Sequence, residues 1–184
     1  MLIRVICPAI CWLVPSRISG QITRINTYST QLADINQRII LAQAGSGNQP
    51  PNDLLDQRDQ MLNDLNKIVR VSTVTQGDGS FSVFIGSGQP LVVGGLAYQL
   101  KAVPSAEDAT RTTVALVGGG GTALTLPESQ ITGGSLGGLL NFRSQTLDGV
   151  QNSLGRIALT LAQTFNDQHK LGQDLTGALG KSFF

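Results

Sequence analysis

The spacing of apolar positions changes period twice along this chain. From Gly20 to Gly45, Ile22, Ile25, Tyr28, Leu32, Ile35, Ile39 and Ala42 recur at steps of three and four, the stripe of a long helix with one buried side. GSGNQPP at residues 45–51 ends it, with Gly45 near the C-cap and proline beyond, and so short a connection predicts an antiparallel helical hairpin. The second helix is expected to start at Asn52, a favoured N-cap, flanked by Pro51 and with Asp53 and Asp56 where the helix dipole favours negative charge. Leu54, Leu55, Met61, Leu62, Leu65, Ile68 and Val69 make its apolar side. The pairs Asp53/Gln57 and Arg58/Asp59 read as a solvated face, open to subunit contacts in an assembly.

Beyond Arg70 the period drops to two. Val71, Thr73 and Thr75, then Phe81, Val83 and Ile85, alternate with polar or small residues on either side of a Gly77-Asp78-Gly79 hairpin apex. Candidate strands are 71–76, 81–86, 90–94, 97–103, 111–117 and 122–126, the later ones bounded by Pro104 and by the Gly118–Gly121 run. Helical spacing then returns in Leu147, Val150, Leu154, Ile157, Leu161 and Thr164/Phe165, predicting one helix from about Ser135 to Leu171, closed by Gly172 after Lys170. Leu154, in the middle of this stripe, is expected to be buried. Helices, then strands, then a helix give an α+β class: long antiparallel helices forming a bundle, with a β-rich insert packed at one end. The chain divides into 1–20, a helical hairpin at 21–70, the β-rich insert at 71–132, and 133–184, the helix returning to the bundle and the start of a following region.

Residues 1–20, MLIRVICPAICWLVPSRISG, stand apart in composition and hold both cysteines and the single Trp. Arg4 before the apolar run Val5–Val14 is the beginning of a signal-peptide pattern, but Pro8 interrupts the run and no small-x-small cleavage site follows. The run is too short to span a membrane, which takes about 20 apolar residues. Cys7 and Cys11 would share a helical face, yet no second Cys or His pair accompanies them, so a metal site is not supported. Elsewhere the 184 residues carry 41% hydrophobic side chains, enough for a modest core, with 14% charged residues and a net charge of +1. Such a balance offers no basic field for nucleic-acid phosphates.

Two blocks carry a family resemblance. PPNDLLDQRDQMLNDLNKIVRVSTVTQGDGSFSVFIGSGQPLVVGG at residues 50–94 joins the capped helix to the hairpin. GGSLGGLLNFRSQTLDGVQNSLGRIALTLAQTFNDQHKLGQDLTGALGKSFF, residues 133–184, runs from a Gly-rich lead through a long helix to Asn-x-x-His, Gly-x-Asp-Leu-x-Gly and Phe-Phe. Both resemble the bacterial flagellar hook-associated protein 1 family, the hook-filament junction proteins. The likeness extends over residues 21–184, more weakly across 103–128, while residues 1–20 look unlike family sequence. The resemblance implies a structural subunit with no catalytic, cofactor-binding or metal residues and no cofactor. It implies contacts with other copies of itself, with the flagellar hook protein and with the neighbouring hook-associated junction protein, and none with nucleic acid or a small-molecule substrate. It also implies an extracellular place in the flagellum, reached by the flagellar type III export apparatus. The terminal helical regions of the family are expected to be missing, which makes the chain an internal piece of a longer protein.

Catalytic readings find little purchase. Gly133-Gly134-Ser135-Leu136-Gly137 fits the G-x-S-x-G of a hydrolase nucleophile elbow, with His169 as base and Asp167 as orienting acid. A helix rising 1.5 Å per residue would part Ser135 from His169 by roughly 50 Å, and the parallel sheet that such an elbow needs is missing from the strand order. The sole histidine, His169, reads as a polar residue near a helix C-terminus. Gly118–Gly121 lacks the Lys-Ser/Thr of a phosphate loop and reads as a turn, and Asp78 as a hairpin apex rather than a calcium ligand. A secreted adhesin or fibre segment with coiled-coil helices shares the heptads and Thr-rich strands and is the rival structural reading.

Overall fold

A computed structural model of the chain describes residues 8–45, 51–77, 79–108, 111–118 and 121–184. Cys7, Asp78 and the centre of the Gly118–Gly121 run lie outside these residues, as does the side chain of Cys11. The fold is mixed α+β. Helix α1 spans Pro8–Gly45 and α2 Asn52–Ile68; strands β1 (Val71–Thr75), β2 (Phe81–Ile85), β3 (Gln89–Val93), β4 (Leu96–Ala97), β5 (Gln99–Pro104), β6 (Thr112–Val117) and β7 (Ala123–Thr125) follow. After a 3-10 turn at Glu128–Gln130 come α3 (Gly134–Phe142), a π-helical turn (Arg143–Leu147) and α4 (Asp148–Lys170). Two compact units result, one of Ala9–Asn141 and one containing Phe142–Phe184.

The first helix starts well ahead of Gly20. Val14 and Ile18 extend the buried stripe of Ile22, Ile25, Leu32, Ile35 and Ile39, and Pro15 is carried within the helix. One stripe position is displaced: Tyr28 is half-buried, whereas the adjacent Ser29 is wholly enclosed. The reason is that α1 faces a sheet as well as a helix. Ser29 Oγ lies 3.1 Å from the Leu91 carbonyl and 3.0 Å from that of Tyr98. The Asn26 amide accepts from Leu100 N–H at 2.8 Å and donates to Leu100 O at 2.9 Å. Asn36 accepts from Phe81 N–H at 3.2 Å and donates to the Phe81 and Gly94 carbonyls, both at 2.8 Å. Strand backbone that no neighbouring strand reaches is thereby paired, as buried peptide groups must be. These contacts follow α1 from Asn26 to Asn36, so the β region is laid along the helix rather than at one end of it.

Helix α2 runs back along α1. Lys67 bonds Asp64 at 2.8 Å, and this bond, with smaller contributions from Gln60 and from Arg24 of α1, holds the Asp64 carboxyl below its ordinary value. At its start the Leu54 and Leu55 amides are satisfied by the Pro51 carbonyl at 3.0 and 3.1 Å, and no side chain caps the helix. Pro51 therefore holds the cap position expected for Asn52. Leu65, Ile68 and Val69 are buried, with Leu54, Leu55, Met61 and Leu62 partly so. Arg58 departs from its expected solvated face. It is only 6% exposed, its guanidinium stands 3.4 Å over the Phe81 ring, and it bonds Asp59, which stays in solvent.

The strands form two antiparallel sheets, β1-β2-β3-β4 and β5-β6-β7. The β1-β2 hairpin pairs Val71 with Ile85 through Thr75 with Phe81, and Gln76 N–H reaches Ser80 O at 2.9 Å beyond it. The stretch 97–103, expected as one strand, is two. Tyr98 leaves the ladder between β4 and β5, its N–H bonding Leu91 O at 2.9 Å, and the chain changes sheet there. Gly118 and Gly121 close the β6-β7 turn through a 3.0 Å bond. Val83, Ile85, Leu91, Val92 and Val114 of the sheets complete the core with Leu136 and Leu140 of α3. Gly134 opens α3 at φ +60 with its α-carbon against the Ile68–Val69 backbone, a position where a Cβ has no room.

Candidate interaction surface

Among the described residues, the unit containing Phe142–Phe184 carries a long exposed apolar stripe. Helix α4 has Asp148 in its first turn and His169 and Lys170 in its last, the charge order its dipole favours. Its stripe of Val150, Leu154, Ile157, Leu161 and Phe165 is exposed from end to end, Leu154 by 39% and Leu161 by 69%. Leu154 is thus a surface residue, contrary to its expected burial. The three-four period holds along α4, and the covering surface is what this unit lacks: no residue from Ser144 to Phe184 is buried. Ser153, Arg156, Ile157, Thr160, Leu161 and Thr164 border a shallow open depression on this helix. An apolar stripe of this length rimmed by polar residues is the form of a protein-contact surface.

Beyond α4 the chain folds back on the helix end through residues of the Asn-x-x-His and Gly-x-Asp-Leu-x-Gly pattern. Asn166 Oδ1 accepts from the Phe183 and Phe184 amides at 2.7 and 3.1 Å, and its Nδ2 donates to Phe184 O at 3.1 Å. His169 Nδ1 is 2.7 Å from Lys181 O, and because a carbonyl only accepts, this nitrogen carries the proton. The His169 ring stacks on Phe165 with centroids 6.1 Å apart, and Phe183 and Phe184 meet Phe165 edge-on at 5.6 and 5.4 Å. Asp174 Oδ1 collects the Thr176 hydroxyl at 2.7 Å and the Thr176 and Ala178 amides at 2.8 and 2.9 Å. These bonds, the Thr176 hydroxyl first, depress the Asp174 carboxyl below its usual range. Gly177, at φ +85, lets the turn close, and Leu175 stands wholly exposed at its tip.

Ser135 belongs to one compact unit, and Asp167 and His169 to the other. Ser135 is exposed in the first turn of α3, Asp167 is exposed on α4, and His169 is bonded to the returning chain. Among the described residues no group of three His, Cys, Asp or Glu could hold a metal ion, and no helix is long and apolar enough to cross a membrane. Asn166 and Asp174 were visible in the sequence only as parts of a motif. Their signal, a side-chain acceptor followed by a Gly-rich return, is that of a local backbone staple.

Comparison with known proteins gives a consistent set. The family model described as the flagellar hook-associated protein FlgK helical domain matches residues 12–184. Flagellar hook-associated protein 1 of Salmonella typhimurium is 46% identical over 167 residues, covering 91% of this chain and 30% of that protein. The protein of the same name from Escherichia coli is 44% identical over 167 residues, with the same 91% and 30%. The solved structure of the flagellar hook junction protein FlgK from Burkholderia pseudomallei superposes with a TM-score of 0.82 at 42% identity, over 93% of this chain and 31% of that one. The chain spans about 30% of the length of these curated relatives.

Proposed function

The chain belongs to the flagellar hook-associated protein FlgK helical-domain family, and from that membership we infer that it is a segment of a structural subunit at the hook-filament junction of a bacterial flagellum. This family is structural rather than enzymatic. The observation that carries the proposal is the extent of the match, which takes in the helical hairpin, both sheets and the stapled C-terminal turn together. On this reading the work of the segment is mechanical: one unit is a core of sheets packed on α1, and the other carries on α4 an apolar stripe for neighbours to cover. Those neighbours are other copies of the same subunit, the hook protein and the adjoining junction protein, and the subunit reaches them outside the cell through the flagellar export apparatus. Residues 21–70 and 133–184 supply the helical frame and 71–132 the β insert in this scheme.

An exchange experiment tests it. The matched region of the Salmonella typhimurium protein is replaced by residues 12–184 of this chain in a strain lacking its own junction protein. Swimming and retention of filaments are expected. A chimaera that is exported and folded, yet leaves cells non-motile with filament subunits shed into the medium, would overturn the proposal. The rival fibre reading expects that second result.

A further inference from the structure

One sheet edge of this fold lies open over most of its length. In an antiparallel ladder, alternate residues of an edge strand turn their N–H and C=O away from the neighbouring strand. On β5 these are Leu100, Ala102 and Pro104, the phase being fixed by the Ser105 N–H bond to Arg111 O. Asn26 takes both backbone groups of Leu100, and Pro104 has no N–H to offer. The edge strands β4 and β7 are two and three residues long, too short to template much pairing. On β1 the Gln76 N–H bond to Ser80 O sets the phase, so Ser72 and Val74 bond to β2 while Val71, Thr73 and Thr75 turn outward. Asn66 Oδ1 accepts from the Val71 N–H at 3.2 Å, and among the described residues nothing bonds the outward backbone groups of Thr73 and Thr75. Ser72 to Thr75 are exposed, Val74 by 55%. Charge, proline and bulges are what usually keep an edge strand from pairing. β1 has an unbroken register with β2 and neither a charged residue nor a proline.

This edge is complementary to itself. When two β1 strands run antiparallel about Val74, Thr73 of each copy stands opposite Thr75 of the other, and the outward N–H and C=O groups of both residues find partners. The Asn66 bond to Val71 stays in place. Between these pairs Val74 meets Val74 in the closely spaced position without hydrogen bonds, where an exposed apolar side chain gains a matching neighbour. Thr73 and Thr75 face each other on the opposite side, a β-branched pair suited to strands. Centring the pair on Thr73 instead would draw the Val71 N–H away from Asn66. No charged side chain stands between Val71 and Gly77, so the two copies oppose no like charges. We propose that β1 pairs antiparallel with β1 of a second copy about a two-fold axis at Val74, joining the two four-stranded sheets into one. Such a contact is isologous and closes as a dimer. It uses only the unit of Ala9–Asn141 and holds whether or not the chain serves at a flagellar junction.

Sedimentation equilibrium of the 184-residue chain, with amide hydrogen exchange read by NMR, tests the pairing. A monomer–dimer equilibrium is expected, in which the Thr73 and Thr75 amides exchange freely in dilute solution and become protected as the dimer forms. Val74→Lys sets two ammonium groups opposite each other and should weaken association by at least about tenfold, with the β1-β2 ladder unchanged because this side chain is exposed. Thr75→Pro removes an N–H that only the partner strand uses and should weaken it likewise; should either variant fail to fold, the other decides. Leu161→Glu, on the exposed stripe of α4, should leave association unchanged. A chain that stays monomeric at every concentration, Thr73 and Thr75 amides left unprotected in the dimer, or association abolished by Leu161→Glu and kept by Val74→Lys would each overturn the proposal.

Discussion

Asn36 is the side chain on which attachment of α1 to the sheet most depends, and Asn36→Ala tests that attachment. The residue is 1% exposed and makes three backbone bonds, to Phe81 N–H, Phe81 O and Gly94 O. Pairing of β2 with β3 runs only between Val83–Ile85 and Gln89–Val92, so Phe81 lies beyond the ladder and the amide stands in for a missing strand. Alanine would leave these groups without a partner in a space closed to water, at about 1–3 kcal/mol for each one orphaned. Because carbonyls tolerate under-pairing better than N–H groups, and alanine returns about 0.5 kcal/mol of helix propensity, the expected loss is about 3 kcal/mol. That is a large part of the roughly 5–15 kcal/mol stabilising an ordinary domain. Equilibrium urea unfolding followed at 222 nm measures it, as a lowered midpoint at unchanged slope. Two neighbours on the same helix calibrate the result. Asn26→Ala removes two bonds at a half-buried site and should cost about 1–2 kcal/mol; Thr30→Ala removes only an exposed bond to Asn26 O and should change stability by less than about 0.5 kcal/mol. An Asn36→Ala variant as stable as Thr30→Ala would refute the reasoning.

Three further outcomes follow from the same structure. Leu154→Ala on the open face of α4 should cost less than about 1 kcal/mol in urea unfolding, and a loss above about 2 kcal/mol would mean that the stripe is covered. Gly134→Ala should cost about 3 kcal/mol or more, since φ +60 disfavours a side chain and the Ile68 backbone occupies its space; Gly20→Ala, in open surroundings on α1, should instead stabilise by about 0.5–1 kcal/mol in the same assay. The Asp174 carboxyl is held below its ordinary 3.8, so its contribution to the Gln173–Leu179 turn is present above that pH and is lost as pH falls through the lowered value. Thr176 and Ala178 amide resonances should therefore titrate only below the usual carboxylate range, and a midpoint above pH 4 would contradict the bonding described.

The elements were legible where one local rule decided them. The β1-β2 hairpin followed from β-branched residues alternating around a glycine turn, and α2 from its stripe and its proline flank. Positions settled by partners distant in sequence were not legible. Nothing near Tyr98 announces that the chain leaves one sheet for another, because both neighbouring strands have the same alternation and the break is made by Leu91 O and Ser29. Arg58 looks like any charged residue on an outward face until Phe81, 23 positions on, supplies a ring for its guanidinium. Ser29 and Asn36 read as interruptions of an apolar stripe, whereas they are where the helix touches peptide groups instead of side chains.

The contact surface was half legible for a related reason. A three-four spacing says that one side of a helix differs from the other, and α4 has that side where the sequence puts it. Burial is a relation between two surfaces, however, and Val150, Leu154, Ile157 and Leu161 have only one of them here. The C-terminal pattern shows the opposite case. Asn166, His169 and Asp174 find all their partners within 18 residues, so their motif encodes a complete structure on its own. A motif that closes on itself forms a rigid platform, and a stripe that does not close needs a second molecule or segment to give it a purpose. Set side by side on α4, the staple at Asn166 fixes the helix end while the stripe stays open. A self-sufficient anchor therefore stands on the same helix as an apolar face that is complete only with a surface from outside this unit.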